Sequence, residues 1–201
     1  MKKVSKLIGI IALAAVIGFA FTSCSRGSDG GSRGGGTVNV GGVSVRIGPA
    51  TPSTDFNYRL MEDGQGIRII QYTGDGGAVV IPAEIEGFPV VELGNNAFQG
   101  ESQNGEWLHG YNITSVIIPA SVKKLAHGCF FRIEKLISVT ILGSGVEIGN
   151  MAFAHNLNLS EFNMPDGDNV LIPIDGNHFR GCTKLPLATR ARLVSMGFAE
   201  P

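Results

Sequence analysis

Apolar residues recur between Val79 and Leu185 in two fixed columns. In the first, Val79, Val116, Val139 and Phe162 are each followed two residues later by Ile81, Ile118, Ile141 and Met164. That alternation puts both side chains on one face of a short β-strand. Pro82, Pro119 and Pro165 then end three of the four strands, since proline lacks an amide hydrogen and fixes its own φ; Leu142 stands in the other. In the second column Leu93, Leu125, Ile148 and Ile174 lie five residues before Phe98, Phe130, Phe153 and Phe179. Ala97, Cys129, Ala152 and His178 immediately precede those phenylalanines, and Leu136, Leu159 and Leu185 follow the last three by six residues. The first unit reaches Ile113 only after an insertion. The step from Phe130 to Phe153 is the basic period, about 23 residues, and the steps from Phe98 to Phe130 and from Phe153 to Phe179 are that period lengthened by a larger and a smaller insertion. A period in this range marks a repeat architecture, in which units too poor in apolar groups to fold alone bury them against their neighbours.

The array needs covering at both ends. Upstream, Phe56, Tyr58 and Leu60 alternate, Asp63-Gly64 supplies a turn, and Ile67, Ile69 and Tyr72 continue beyond it, which predicts a β-hairpin cap. Downstream, Leu187, Ala191 and Val194 share one face of a predicted helix that Gly197 can terminate, with Arg190 and Arg192 expected in solvent.

Before the cap the pattern changes. Lys2, Lys3 and Lys6 precede an uncharged run from Leu7 to Phe21 that ends at Thr22-Ser23-Cys24. This has the outline of a signal peptide and is shorter than the roughly 20 residues a membrane-spanning helix needs. From Ser25 to Gly48 glycine is the commonest residue and serine is frequent, the composition of a flexible tether. Val38, Val40, Val43, Val45 and Ile47 partly alternate, but Gly41-Gly42 interrupts them, so no more than a transient strand is expected and order is expected to begin at Phe56. A flexible tether from Cys24 to Phe56 would span roughly 30 Å.

Two resemblances sharpen this reading. Phe21-Thr22-Ser23-Cys24 resembles a bacterial lipobox, with Phe21 where leucine is usual, which implies that Cys24 becomes the lipidated N-terminus of a membrane-bound protein. The repeat resembles that of the BspA-like leucine-rich-repeat family, approximately L-x-x-V-x-I-P, a variable turn, then I-G-x-x-A-F-x-x-C-x-x-L. Residues 113–136 match almost throughout; residues 136–159 carry Leu142 for proline and Asn156 for cysteine; residues 159–185 keep Phe179, Cys182 and Leu185 around their insertion. The expected fold is mainly β with short helical turns, a leucine-rich-repeat solenoid. Its parts are a signal peptide (1–23), lipidated cysteine and tether (24–53), N-terminal hairpin cap (54–78), four repeats (79–185) and C-terminal capping helix (186–201).

Candidate chemistry adds little. Ser121-Val122-Lys123-Lys124 has the S-x-x-K spacing of serine acyl-enzymes but lies inside a matched repeat, without the Ser-Asp-Asn or Lys-Thr-Gly partners. His109, His127, His155 and His178 form no metal-binding spacing, Asp166-Gly167-Asp168-Asn169 lacks the spaced oxygens of a calcium loop, and Gly74-Asp75-Gly76-Gly77 lacks the lysine of a phosphate loop. No enzyme activity, metal or cofactor is expected. Cys129 and Cys182 fall in different columns two rungs apart, roughly 10 Å, too far for a disulfide, so both are expected as buried thiols. With 16 basic and 17 acidic residues the net charge is −1, which disfavours a nucleic-acid partner.

Protein binding is the natural expectation for a solenoid on a tether. The BspA resemblance implies a cell-surface adhesin for host matrix or plasma proteins, fibronectin and fibrinogen among them, or for other bacteria. The location expected is the cell envelope, lipid-anchored, at the outer membrane or cell surface; the alternative is a scaffold lipoprotein facing the periplasm. The candidate contact residues are Trp107, His109 and Tyr111 in the insertion from Gln99 to Asn112, where Trp107 has two readings, a partner contact or a lid on the first repeat.

Overall fold

The computed structural model describes residues 36–99, 102–103, 106–107, 112–167, 170–174 and 176–199. The signal segment and Cys24 lie outside the described residues, which belong to a unit running from Arg33 to Pro201.

The chain does not wait for Phe56 to become ordered. Strands β1 (Gly36–Val40) and β2 (Val43–Ile47) form an antiparallel hairpin in which Gly36 faces Ile47 and Val40 faces Val43. The expectation of a tether through residue 53 is thus corrected. Gly41 and Gly42, read as an interruption, are the turn: both have positive φ, +55° and +77°, as a tight two-residue turn of the type I′ class requires. Val40 is buried, and the turn lies against Met164. Farther on, Thr51 bonds Val80 twice, its amide donating to the Val80 carbonyl (2.8 Å) and its hydroxyl accepting from the Val80 amide (3.0 Å).

After a 3-10 turn at Ser53–Asp55, strands β3 (Phe56–Leu60) and β4 (Ile67–Tyr72) make the expected cap hairpin. The repeats follow as β5 (Gly77–Val80), β6 (Glu84–Ile85), β7 (Phe88–Leu93), β8 (Ser102–Gln103), β9 (Glu106–Trp107), β10 (Ile113–Ile118), β11 (Lys124–Leu125), β12 (Ser138–Ile141), β13 (Val146–Ile148), β14 (Glu161–Asn163) and β15 (Leu171–Pro173), with helix α1 (Leu187–Ser195) last.

These strands wind as a solenoid of two parallel sheets. One has the order β5-β10-β12-β14, with Val79, Val116, Val139 and Phe162 in register, as the first apolar column predicts. The other runs β4-β7-β11-β13-β15, with β3 antiparallel on its edge; the second apolar column is thus itself a strand column, which its short segments did not announce. The cap is continuous with this sheet, since β4 pairs in parallel with β7. In the last turn the register sets Pro173, rather than Ile174, opposite Ile148, so one extra residue falls between β15 and Phe179.

The phenylalanine turns close each coil and are bonded from rung to rung. The amides of Phe98, Phe130 and Phe153 donate to the carbonyls of Cys129, Ala152 and His178 at 2.8–2.9 Å. Inside, Phe98, Phe130, Phe153 and Phe179 stack in one file with centroid separations of 4.5, 5.4 and 5.2 Å. Tyr72 stacks on Phe98 at the first end (5.6 Å), and Phe198 meets Phe179 edge-on at the other (5.4 Å). All four repeat rings are buried, so each turn contributes mainly to contact with the next.

Helix α1 is present but turned from the predicted face. Leu187 (81% exposed), Ala191 and Val194 point outward, and Leu193 is buried instead. The C-terminal end decides this. The Gly197 amide bonds the Val194 carbonyl and the Phe198 amide the Leu193 carbonyl, a Schellman motif that buries Phe198 beside Leu193. The arginines are also corrected. Arg190 donates to the carbonyls of Leu185 (2.9 Å) and Thr183, and Arg192 to that of Pro165, so they close the last turn.

Candidate functional site

Every turn directs its inward side chains into the stack, so recognition falls to outward rows. The second sheet carries one such row. Register aligns Arg68, Glu92, Lys124 and Glu147 on successive strands, alternating in charge, and ends at the exposed Ile172. Arg68 Nη2 donates to Glu92 Oε2 at 2.7 Å, with both groups partly sheltered. Opposite charges on adjacent strands favour this register, and each exposed pair adds only about 0.2–1 kcal/mol.

A second row lies where each coil leaves its phenylalanine turn and enters the first sheet. Asn112, Lys135, Asn158 and Lys184 precede the buried Ile113, Leu136, Leu159 and Leu185 on consecutive rungs. Lys135 Nζ donates to Asn112 Oδ1 (2.7 Å), Lys184 Nζ to Asn158 Oδ1 (2.6 Å), and Asn158 Nδ2 to the Glu134 carbonyl (2.7 Å). Beside the row runs a groove of about 460 Å³ bounded by Thr114, Lys135, Ile137, Asn158, Ser160 and Lys184. Beyond it, His155 meets Phe131 edge-on at 5.5 Å next to the exposed Leu157.

The residues singled out from the sequence are not brought together into a described site. Trp107 belongs to β9, where it pairs with Ser102 of β8; its side chain, His109 and Tyr111 lie outside the described residues, as does Cys24. His127 is exposed on a turn. His178 is buried, and its Nε2 lies 3.0 Å from the Ile174 carbonyl. Since a carbonyl only accepts, Nε2 is the donor there, and Nδ1 is buried without a hydrogen-bond partner among the described residues. No group of histidine, cysteine and acidic side chains among the described residues could hold a metal ion. Ser121 donates its hydroxyl to the Ala83 carbonyl (3.0 Å), while Lys123 turns to the Ser144 carbonyl (3.2 Å), an arrangement that ties turns together.

Cys129 and Cys182 are buried free thiols. Burial drives the Cys129 thiol far above its ordinary range, and burial pushes the Cys182 thiol up to about 12. Neither is a nucleophile at neutral pH. Cys182 instead donates to the Phe153 carbonyl at 3.1 Å. Burial likewise raises the Tyr72 phenol, whose oxygen accepts from the Gly76 amide at 3.1 Å.

Two parallel strand columns joined by a repeated phenylalanine turn define a leucine-rich-repeat solenoid. The model of the BspA type leucine-rich repeat region matches residues 93–191 in six copies, and this part of the chain is a leucine-rich-repeat region of the BspA type. No curated protein matches it. Among solved structures it is similar to a leucine rich cell surface protein from Faecalibacterium prausnitzii A2-165, at 28% identity over 68% of this chain and with a TM-score of 0.54. The chain covers 35% of that protein's length. A leucine-rich repeat protein from Bacteroides capillosus shares 21% identity over 71% of this chain and 94% of its own, TM-score 0.44. The leucine-rich repeat protein of T. pallidum shares 22% over 74% and 96%, TM-score 0.36.

Proposed function

We propose that this protein binds other proteins at the bacterial cell surface, held by a lipid on Cys24 and without a catalytic step of its own. The observation that carries the reading is the division of labour in each turn. The periodic apolar residues are taken up by the stack, while the outward rows present charged, amide and aliphatic groups at a spacing of about 4.8 Å on a rigid ladder. Such a surface suits an extended protein contact better than a small substrate. The likeness to the Faecalibacterium surface protein supports an exposed location. The lipobox resemblance supports the anchor, with acyl chains contributing about 0.8 kcal/mol per buried methylene. Host matrix or plasma proteins and the surfaces of other bacteria are the partner classes the BspA resemblance favours.

The test is protease treatment of intact cells beside a Cys24→Ala strain, with binding of whole cells to immobilised fibronectin and fibrinogen measured in parallel. Digestion without lysis, release of the protein into the medium by Cys24→Ala, and loss of cell binding on deletion agree with the reading. Protection until the outer membrane is opened would overturn the surface location.

A further inference from the structure

We propose that the groove between Lys135 and Lys184 receives an extended acidic segment of the protein partner; this rests on the protein-binding reading above and gives it a site and a chemistry. The groove crosses four consecutive rungs, from Thr114 to Lys184. Its floor is the row Thr114, Ile137 and Ser160, with Ile137 47% exposed. Its wall is the row Lys135, Asn158 and Lys184.

The charge of that wall is held in place, and among the described residues neither lysine forms an ion pair. Each lysine is positioned by the neutral side-chain oxygen of the asparagine one rung earlier, Asn112 for Lys135 and Asn158 for Lys184. An amide oxygen orients an ammonium group without cancelling its charge, and each ammonium keeps further hydrogens to donate. Among the described residues no carboxylate lines the groove; Glu134 and Glu161 are the acidic neighbours in sequence, and neither bounds it. The fixed cations beside an exposed aliphatic floor complement a ligand carrying carboxylates and an apolar residue between them.

The floor excludes one mode of binding. The Ile137 amide donates to the Thr114 carbonyl (2.8 Å) and the Ser160 amide to the Ile137 carbonyl (3.0 Å), so these backbone groups are already paired within the solenoid. The ligand is therefore read through side chains rather than added as a strand. Lys135 and Lys184 are two rungs apart, roughly 10 Å. A polyproline-II segment rises about 3.1 Å per residue with three residues per turn, so acidic residues at i and i+3 fall on one face at about that separation.

The probe is a fluorescein-labelled Pro-Glu-Leu-Pro-Glu-Pro peptide, titrated with the full chain in detergent and followed by anisotropy, against its Gln-for-Glu counterpart. The acidic peptide should bind, the Gln peptide should bind at least about tenfold more weakly, and raising salt from about 50 to about 500 mM should weaken the acidic peptide by a similar factor. Lys135→Gln with Lys184→Gln should abolish the preference, and Lys135→Glu with Lys184→Glu should transfer it to a Lys-for-Glu peptide. Both sites are exposed, and matching thermal unfolding curves establish that the variants fold. Absence of binding, equal affinity for the Gln peptide, or an undiminished preference in the double variant would each overturn the groove assignment. If cells carrying Lys135→Gln with Lys184→Gln still bind matrix or plasma proteins as before, the groove fails and the protein-binding reading stands; if unmodified cells bind none, that reading fails first.

Discussion

The side-chain amide of Asn156 donates to the carbonyl of Phe130, 2.9 Å away and one solenoid turn earlier. The same side chain donates to its own turn's Phe153 carbonyl (2.7 Å) and accepts from the Ile133 amide (2.7 Å), all inside the core. The BspA pattern places cysteine at this position, and Cys182 does part of the same work one turn later by donating to the Phe153 carbonyl. Asn156 is thus a fully used polar group that clasps neighbouring turns rather than a tolerated substitution.

Replacing Asn156 by alanine should lower stability by about 3 kcal/mol, because the buried Phe130 carbonyl and Ile133 amide lose their partner and the Phe153 carbonyl keeps only the Cys182 thiol. Asn156→Asp should cost at least as much at neutral pH, since a carboxylate cannot donate to two carbonyls. Urea unfolding midpoints measure both; a loss below about 1 kcal/mol for alanine would contradict the clasp.

Two residues before each phenylalanine the backbone is left-handed: Asn96, Gly128, Met151 and Asn177 have φ of +53° to +62°. Asparagine and glycine suit that conformation, whereas methionine is strained there by roughly 1–2 kcal/mol. Met151→Asn should therefore stabilise the protein by about 0.5–1 kcal/mol. Gly128→Ala should destabilise it, because the added Cβ would overlap Asn96 Oδ1 as well as adopt a strained conformation. Thermal melts of the pair give the two signs.

Phe153 stacks between Phe130 and Phe179 and meets Phe162 edge-on at 5.3 Å. Phe153→Ala should cost about 3–5 kcal/mol. Stability in a stack is chiefly nearest-neighbour, so hydrogen exchange should show the turns on either side weakened most. Uniform loss of protection across the array would instead mean a single cooperative unit.

Raised folded-state values for Cys129, Cys182 and Tyr72 give stability a defined pH dependence. The folded state keeps protons that the unfolded chain releases, so the contribution is full below the ordinary thiol value of 9.0 and falls as pH rises toward about 12. Urea midpoints should decline above about pH 9, less steeply in Cys182→Ala. In a Cys24→Ala chain, neither remaining thiol should react with a disulfide reagent until the protein is unfolded.

The hairpin β1–β2 offers a separate test. Gly41 has φ +55°, and a Cβ there would overlap the Met164 carbonyl oxygen. Gly41→Val should undock residues 36–47 and open them to proteolysis, while the repeat array keeps its unfolding midpoint to within about 0.5 kcal/mol. Unchanged cleavage would show that the hairpin does not depend on that contact.

The inward half of this protein was legible because it is periodic. Val116, Ile118, Leu125 and Phe130 recur with their counterparts at one fixed period once the insertions are removed, and a stack demands the same residue type at the same depth on every rung. What lacks that periodicity was decided by tertiary structure. Gly41-Gly42 reads as a break until β1 and β2 are seen to pair across it, and Leu187, Ala191 and Val194 make as plausible a buried face as Leu193 until Phe198 turns back to cover the last ring. The alignment of Lys135 with Asn112, and of Lys184 with Asn158, joins positions a full coil apart whose residue type changes from one coil to the next. Burial constrains composition strongly enough to be read along a chain; outward neighbours meet only where the coil's register brings them together.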